Sequence, residues 1–363
     1  MTIPLPIPGK RKDKWPVAVL GATGAVGQMF VRLLAEHPWF EIAELAASER
    51  SAGKKYGEVT RWLEGQPPPP TIQSRRVIAC DPGVVSAPIV FSALDAAIAG
   101  EVEMAFARAG KFVLSNAKNF RMEPDVPLVI PEVNGDHLGL LECQRQRRGW
   151  TGAIVTNANC SATVAAVALA PLHQRFGIRQ LFLSTMQAVS GAGYPGVPSL
   201  DILGNVIPYI VDEEPKLERE MLKLLGRFED GEVTSAAFKV SAHTNRVPVE
   251  HGHTICMTVG FEEPPTPEAA IETMRTWEGL PATTRLPTRP QHPLVVSDAA
   301  DRPQPKRDVN AGAGMTVTVG RVRRDAILDL RMVALGHNTI RGAAGGSVLN
   351  AELLASNGSF NSA

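Results

Sequence analysis

Short apolar runs alternate with longer amphipathic stretches through the first half of the chain. Val17–Leu20 is apolar, GATGAVG (21–27) follows it at once, and Gln28–Glu36 then carries apolar residues at helical spacing. The alternation continues with predicted strands at Glu41–Ala47, Val84–Leu94, Phe112–Leu114 and Ile154–Thr156 and a predicted helix at Val102–Ala109. Strands that alternate with helices predict a parallel sheet of the α/β class.

The pattern changes after the predicted helix Ala162–Leu172, because strands then outnumber helices. Alternating apolar and polar positions predict strands at Gln180–Ala188, Ala236–Ala242, Thr254–Phe261, Met315–Arg321 and Ala326–Ala334, with helices at Leu217–Leu225 and Pro267–Trp277. This indicates a second, α+β domain with a mixed, largely antiparallel sheet, a kind of sheet that often pairs two subunits. A last helix, ending near Ser356, is expected to return to the first half.

The glycine-rich turn GATGAVG lies between a strand and a helix, which is the setting of a dinucleotide-binding turn in a Rossmann-type domain. Glycines let the backbone approach a pyrophosphate, and the helix N-terminus attracts its charge. The loop after the second strand, SERSAGKK (48–55), is rich in hydroxyl and basic side chains. Such a loop suits the 2′-phosphate of NADP. Two alternatives stay open: Glu49 is an acidic side chain of the kind that suits NAD, and the loop can be a solvated surface segment without a ligand.

A length of 363 residues suggests two domains. We expect a nucleotide-binding domain from residues 15–157 and 339–363, and a catalytic and dimerisation domain from residues 158–338. The first 14 residues, rich in proline and basic side chains, are expected to form a loose arm.

Charge and cysteine content exclude several classes of protein. Lys plus Arg and Asp plus Glu both number 37, so no net charge indicates nucleic acid or a membrane surface as a partner. The four cysteines form no metal-ligand cluster or disulfide framework, which predicts no metal site and a reducing, cytoplasmic location. No apolar run approaches the roughly 18–20 residues of a membrane span, and no signal peptide is evident.

Cys160 is the candidate nucleophile, in the polar turn NANCSAT (157–163) before the predicted helix. Backbone N–H groups and the helix dipole at this place both favour the thiolate, which is the nucleophilic form. A buried structural cysteine is the alternative. The polar neighbours Asn157, Asn159, Ser161 and Thr163 make that alternative less suitable.

Eight motifs in this order resemble aspartate-β-semialdehyde dehydrogenases, above all the archaeal and fungal branch of that family. They are GATGAVG, SERSAGKKYGEV, FRMEPDVPLVIPEVN, NANCSAT, QAVSGAGYPG, NVIPYI with EEPK, RVPVEHGH and HNTIRGAAGGS. The resemblance implies reversible reduction of L-4-aspartyl phosphate by NADPH to L-aspartate 4-semialdehyde and phosphate, toward lysine, threonine, methionine and isoleucine. It also implies a homodimer or homotetramer.

The resemblance assigns roles to residues by motif position. Cys160 is implied to form an acyl thioester, His253 rather than His251 to act as acid and base, and Gln187 to orient the thioester. Glu213 is implied to bind the substrate amino group, Arg246 its carboxylate, and Arg121, Lys216 and Asn116 its phosphate. The residues implied to line NADP are Gly21, Thr23, Gly24, Ala25, Val26, Gly27, Ser48, Arg50, Ser51, Ser92, Ser190, Gly191 and Asn338.

Two alternatives remain open from the sequence. One is another acyl reductase on the same scaffold, especially a malonyl-CoA reductase, which keeps the cysteine and NADPH but has no amino group to bind. The other is an NADP-binding sensor without catalysis, which needs no reactive Cys160.

Overall fold

A seven-stranded parallel sheet organises the first half of the chain. The structure, a computed structural model, describes residues 13–362, so residues 1–12 of the expected N-terminal arm lie outside the described residues. The sheet has the order β3-β2-β1-β4-β5-β7-β6, and all neighbouring strands are parallel. Its strands are β1 (Trp15–Leu20), β2 (Phe40–Ala47), β3 (Val77–Ala79), β4 (Ile89–Ser92), β5 (Phe112–Ser115), β6 (Leu128–Val129) and β7 (Ala153–Asn157).

Helices connect these strands and cover the sheet. They are α1 (Ala25–Leu34), α2 (Tyr56–Val59), α3 (Pro70–Gln73), α4 (Ala96–Arg108), α5 (Pro131–Asn134) and α6 (Leu140–Arg148). The strand order runs outward from β1 in both directions, and ligands of such sheets bind at the carboxyl ends near the reversal. Leu20, Ser92, Ser115 and Thr156 are neighbours in register across β1, β4, β5 and β7, so the loops that follow these strands meet at one edge.

The second half forms a six-stranded sheet of order β11-β8-β12-β15-β14-β13 beside a short hairpin, β9 with β10. The outer pairs β11–β8 and β13–β14 are parallel, and the three inner pairs are antiparallel. The strands are β8 (Ile178–Gln187), β9 (Arg227–Glu229), β10 (Glu232–Thr234), β11 (Lys239–Arg246), β12 (His253–Phe261), β13 (Leu294–Ser297), β14 (Val317–Arg324) and β15 (Leu330–Gly336). The predicted fold class is thereby confirmed.

The helices of this half are α7 (Cys160–Phe176), α8 (Ser199–Ile202), α9 (Glu213–Leu224), α10 (Pro267–Arg275) and α11 (Pro305–Asp308). Helix α7 packs on the six-stranded sheet, and residues 161–172 are all buried. On the other face of the sheet, Phe182, Met186 and Cys256 are exposed. One apolar face therefore lacks a cover within residues 13–362.

The final helix, α12 (Gly345–Ser356), returns to the first sheet as expected. Its Val348 and Leu349 share a core with Val17 and Val19 of β1. Just before this helix, Arg341 forms a bidentate ion pair with Glu132 of α5, with N–O distances of 2.7 and 2.9 Å. Both side chains are buried, so loss of either partner would leave an unpaired charge in the interior.

Some predicted elements are shifted. The prediction of a strand from Val84 is wrong over its first half, because Val84 and Val85 both donate backbone hydrogen bonds to Asp81 in a turn. The predicted strand 236–242 instead spans Lys239–Arg246, where it continues the ladder beside β8.

Candidate active site

The glycine-rich turn after β1 is built for close approach of the backbone. Gly21 has φ of +72°, and a Cβ at this position would lie 2.7 Å from the carbonyl oxygen of Ala93. A Cβ on Gly27 would lie 2.1 Å from the oxygen of Gly21. Gly24 is the N-cap of α1 and supplies no side chain to its free N–H groups. The turn therefore presents the N-terminus of a ten-residue helix to an anion.

The other predicted cofactor residues of the first sheet follow the neighbouring strands. Ser48 and Arg50 are exposed and Ser51 is half-buried in the turn after β2, where Ser51 N–H donates to the oxygen of Ser48 at 2.9 Å. Ser92 ends β4, and its buried hydroxyl has no hydrogen-bond partner among residues 13–362. Thr23, Ala25 and Val26 lie in or next to the turn at intermediate exposure.

A second group of predicted cofactor residues lies beside Cys160. The side-chain amide of Asn338 donates to the Ser190 hydroxyl at 2.8 Å, and its oxygen accepts the Gly252 N–H at 2.9 Å. Gly191 is adjacent, since a Cβ there would lie 3.0 Å from Arg246 Nη1 and 3.3 Å from His253 Cε1. Residues widely separated along the chain therefore meet at the candidate nucleophile.

Cys160 is the first residue of α7, and Asn159 is its N-cap. The Asn159 side-chain oxygen accepts the N–H groups of Ser161 and Ala162 at 2.9 and 3.1 Å. The cap therefore already occupies these two N–H groups, which leaves neither free to bind a substrate oxygen. A Cβ on Gly342 would lie 2.5 Å from the Cβ of Cys160, so the backbone at Gly342 packs directly against the nucleophile.

His253, the first residue of β12, faces the sulfur. The distance from Cys160 Sγ to His253 Nε2 is 3.1 Å, while Nδ1 accepts the Ala188 N–H at 3.1 Å. Because Nδ1 acts as the acceptor, the proton of the neutral ring lies on Nε2, toward the sulfur. His251 instead contacts the Ser190 hydroxyl at 3.0 Å and stacks on His337. The structure thus separates the two histidines, of which only His253 contacts the sulfur.

Burial governs the ionisation of this pair. It raises the pKa of the Cys160 thiol to about 12, with Glu213 adding to the rise and Arg121, Arg246 and the Ser161 N–H opposing it. It also lowers the pKa of His253 to about 3, with Arg246 and His337 contributing. These shifts favour a neutral thiol and a neutral imidazole in the free protein. The N–H of Ser161 at the helix terminus lowers the pKa of the thiol as expected, but burial and Glu213 oppose it.

Gln187 and Glu213 meet in front of the Cys160 turn. Glu213 Oε1 accepts from Asn159 Nδ2 at 2.8 Å and from Gln187 Nε2 at 3.2 Å. Lys216, one helical turn on, lies 3.7 Å from Glu213 Oε2. Arg246 ends β11 and donates from Nη1 to the oxygen of Ala188 at 2.9 Å. Of these side chains, Glu213 and Arg246 lie close enough to Cys160 to shift the pKa of its thiol.

Arg121 and Asn116 belong to the loop after β5. Arg121 donates to Glu220 at 3.0 Å and to the Asn116 backbone oxygen at 2.8 Å. Its buried Nε has no hydrogen-bond partner within residues 13–362. The Asn116 side chain links Ser347, at 3.1 Å, to Asn157, at 3.2 Å. Arg121 thus lies near enough to lower the pKa of Cys160. The Asn116 side chain instead forms hydrogen bonds that join the end of β7 to α12.

We predict that Glu213→Gln accelerates alkylation of Cys160 by iodoacetamide. Only the thiolate reacts, so with a raised pKa the rate should increase about tenfold per pH unit between pH 7 and 9. Removing the Glu213 charge lowers the pKa of the thiol and should give a several-fold higher rate at each pH. Glutamine has nearly the same shape as glutamate and keeps an oxygen that can accept from Asn159 Nδ2. An unchanged rate in Glu213→Gln, with the substituted protein folded, contradicts this electrostatic account.

No group of three or more His, Cys, Asp or Glu side chains within residues 13–362 is arranged to hold a metal ion. Within the same range, every helix is too short or too polar to span a lipid bilayer.

Sequence reasoning missed several residues that shape the site. Glu220 was not assigned a role from any motif, but its carboxylate accepts hydrogen bonds from Arg121 and from the turn before Cys160. Its signal was the spacing of alternating charges along α9, at Glu213, Lys216, Glu220 and Lys223. The Ala188 N–H, which sets the proton position on His253, gives no signal in a sequence because every residue except proline has one.

Fold and site together are those of a nucleotide-dependent oxidoreductase in which a thiol and an imidazole are in contact at a helix N-terminus. Residues 16–141 match the family model described as semialdehyde dehydrogenase, NAD binding domain, and residues 169–341 match semialdehyde dehydrogenase, dimerisation domain. Aspartate-semialdehyde dehydrogenase of Archaeoglobus fulgidus is 51% identical over 341 residues, which cover 94% of this chain and 98% of that protein. The enzyme of Schizosaccharomyces pombe is 47% identical, over 94% and 98% of the two chains.

A solved structure gives the same result. Aspartate semialdehyde dehydrogenase from Candida albicans, crystallised with NADP, has a TM-score of 0.87 and 43% identity, and the match covers 95% of this chain and 99% of that one. This chain belongs to the aspartate-semialdehyde dehydrogenase family, as its sequence motifs predicted. It resembles archaeal and fungal members, and it is an oxidoreductase of amino-acid biosynthesis with a dimerisation domain.

Proposed function

We propose that this chain catalyses the reversible, NADPH-dependent conversion of L-4-aspartyl phosphate to L-aspartate 4-semialdehyde and phosphate through a thioester on Cys160. The step belongs to the biosynthesis of lysine, threonine, methionine and isoleucine. The single observation that carries the proposal is the 3.1 Å contact between Cys160 Sγ and His253 Nε2, at the N-terminus of a helix that meets the nucleotide-binding sheet. Membership of the family supports the same reaction.

The residues present suffice for the covalent step. Attack of the sulfur on the acyl phosphate forms a C–S bond and breaks the C–O bond to phosphate, which is a good leaving group. The thiol proton goes to the departing phosphate, so a thiol that is neutral in the free enzyme is compatible with the reaction. When the aldehyde is released, the C–S bond breaks and the sulfur takes up a proton from solvent. No metal is needed in this scheme.

His253 enters the reaction as a proton donor. Its Nε2–H faces the sulfur, so it can donate to the oxygen of an acyl group bound there and stabilise the charge that develops on it. The Ala188 N–H at Nδ1 prevents the other neutral tautomer from forming without loss of a hydrogen bond. To transfer a proton, the ring would first take up a second one. The imidazolium so formed could protonate the oxygen left by hydride addition, and the neutral ring could take that proton back in the reverse direction.

Charge complementarity supports the roles of the substrate-binding residues. Glu213 would bind the amino group and Arg246 the carboxylate, because a guanidinium matches a carboxylate in two-pronged geometry. Arg121, with its unpartnered Nε, and Lys216 would bind the phosphate. Asn116 would help to hold Arg121 in place, because its backbone oxygen accepts a hydrogen bond from the Arg121 guanidinium. Gln187 would orient the thioester from its place beside Glu213.

We propose NADP as the cofactor; its reduced form, NADPH, would supply a hydride to the thioester. The Gly24 turn, with free N–H groups at the start of α1, suits the pyrophosphate. Arg50 and the hydroxyls of Ser48 and Ser51 suit a 2′-phosphate. Ser92, Ser190, Gly191 and Asn338 would line the rest of the site, and Gly191 leaves room beside His253.

Arg50→Ala is predicted to raise the KM for NADP about tenfold or more, the effect of losing one charge-assisted contact. The KM for NAD should stay within about twofold, because NAD has no 2′-phosphate for this side chain to bind. Steady-state kinetics with both cofactors measure the two values. Lys54→Ala, which removes a charge from the same exposed loop, is the control. Equal effects of Arg50→Ala on NADP and NAD contradict the assignment.

The direct test of the proposed function is oxidation of aspartate semialdehyde by the purified protein, with NADP and with or without phosphate. The proposal expects NADP reduction that depends on phosphate. Faster reduction of malonyl-CoA than of aspartyl phosphate, measured in the opposite direction, would instead support the malonyl-CoA reductase. No activity with either substrate would support the NADP-binding sensor.

We further propose a homodimer through the uncovered face of the six-stranded sheet, around Phe182, Met186 and Cys256, or a homotetramer of two such dimers. The match to a dimerisation domain supports an oligomer. The boundaries at residues 157–158 and 338–339, and a cytoplasmic location, also stay predictions.

A further inference from the structure

Helix α9 carries four charged residues at a spacing that places them along one face: Glu213, Lys216, Glu220 and Lys223. The first two lie at the candidate substrate site. The second two are more deeply placed, with only 2% of Glu220 and 4% of Lys223 exposed. Charged side chains so buried must be paired and hydrogen-bonded, so what they contact shows what they do.

Glu220 joins two parts of the site with one carboxylate. Its Oε1 accepts from Arg121 Nη1 at 3.0 Å, and its Oε2 accepts the backbone N–H of Asn159 at 2.6 Å. Asn159 directly precedes Cys160 and caps the helix that begins there. A planar carboxylate fixes the separation of its two oxygens, so the guanidinium of Arg121 and the Cys160 turn are held at a set distance.

Lys223, one helical turn further, holds the same loop from its backbone. Its Nζ donates to the oxygens of Arg121, Glu123 and Val126 at 2.8, 2.7 and 2.8 Å. All three donors of the ammonium group are thereby used. Because Lys223 binds the backbone of the loop, the carboxylate of Glu220 is left to orient the Arg121 side chain.

We propose that Glu220 is a positioning residue that fixes the phosphate-binding guanidinium of Arg121 relative to Cys160. The proposal rests on the function proposed above, in which Arg121 binds the phosphate. Nη1 and Nη2 of Arg121 each donate one hydrogen bond, to Glu220 and to Asn116, and Nε has no partner within residues 13–362, so three of the five N–H donors stay available for an oxyanion. Glu220 thus fixes the plane of the guanidinium, and with it the direction of these donors, relative to the turn that holds Cys160.

The test uses Glu220→Gln and Glu220→Asp in the full-length protein. Glutamine keeps one oxygen for the Asn159 N–H but turns an amide NH₂ toward Arg121, whereas aspartate keeps the charge and is too short to reach both partners. Glu218→Gln is the matched control, since Glu218 lies on the same helix and accepts a backbone N–H, from Ala242 at 3.1 Å, without contacting Arg121.

Inorganic phosphate is the probe, as second substrate in the oxidation of aspartate semialdehyde. We expect each Glu220 variant to raise the KM for phosphate about tenfold or more, as expected for loss of a charge-assisted hydrogen bond. The KM values for NADP and aspartate semialdehyde should stay within about twofold, a split that general destabilisation does not produce. In an Arg121→Ala background, Glu220→Gln should add less than about twofold, because Glu220 acts through Arg121.

Three results would overturn the proposal: an unchanged KM for phosphate in both variants, equal changes for all three substrates, or a full additional effect in the Arg121→Ala background. If Glu220→Gln does not fold, Glu220→Asp, which keeps the buried charge paired, decides the same question, and failure of both to fold assigns Glu220 to stability and overturns the positioning role. If the wild-type protein shows no phosphate-dependent reduction of NADP, the proposed function itself fails. That result differs from the three above, all of which require an active wild-type protein.

Discussion

Cys160→Ser is expected to lower the rate of phosphate-dependent NADP reduction by a factor on the order of 10⁴ or more. The hydroxyl of serine is a far weaker nucleophile than the sulfur, and its ester would accept a hydride less readily than a thioester. The change is nearly isosteric, so Asn159 should still cap α7. Initial rates of the purified variant, with aspartate semialdehyde, NADP and phosphate all saturating, measure the loss.

Cys143→Ser is the control for this prediction. Cys143 lies on α6, where its thiol donates at 3.3 Å to the backbone oxygen of Gly231, in the turn between β9 and β10 rather than at the candidate active site. Serine can make the same hydrogen bond, so the activity of Cys143→Ser should stay close to that of the wild type. Activity of Cys160→Ser within about tenfold of this control would show that the thiol is not the nucleophile.

The second large effect is expected for His253→Gln, which should reduce kcat about 10²- to 10⁴-fold, the usual contribution of a general acid or base. A glutamine amide can still donate to the sulfur, but it cannot transfer a proton. The KM values should change less than kcat, because His253 contacts the reacting sulfur rather than the groups proposed to bind the ends of the substrate. Stopped-flow measurement of NADP reduction separates the chemical step from product release.

His251→Gln gives the comparison within the same motif. His251 contacts Ser190 and His337 rather than the sulfur, so its loss should change kcat less than about tenfold and affect mainly the KM for NADP. Equal losses in kcat for His251→Gln and His253→Gln would contradict the assignment of His253 as the proton donor.

The sequence predicted the parts of the fold that short segments determine. The strand, glycine turn and helix at residues 15–34 follow from local sterics, since a Cβ on Gly21 or Gly27 would clash with the neighbouring backbone. The ends of β4 and β11 were misplaced, because alternation of apolar residues indicates a strand without fixing its register against the neighbouring strand.

Tertiary contacts decided what the sequence could not. Glu220 and Arg121 are 99 residues apart, and Arg341 and Glu132 are 209 apart, so neither pair produces a local pattern. The ionisation of Cys160 could not be predicted from its place at a helix N-terminus alone. Burial and the charge of Glu213 oppose that effect, and both arise only when distant elements pack around the thiol. Site residues were identifiable through the family motifs, whereas their electrostatics required the fold.

The most direct measurement is intact-protein mass spectrometry of the wild type after incubation with aspartate semialdehyde and NADP in the absence of phosphate. The account predicts one aspartyl group bound to the protein through Cys160, removed when phosphate is added, and absent from Cys160→Ser. Stoichiometric NADP reduction by wild-type protein that carries no adduct on this cysteine would contradict it.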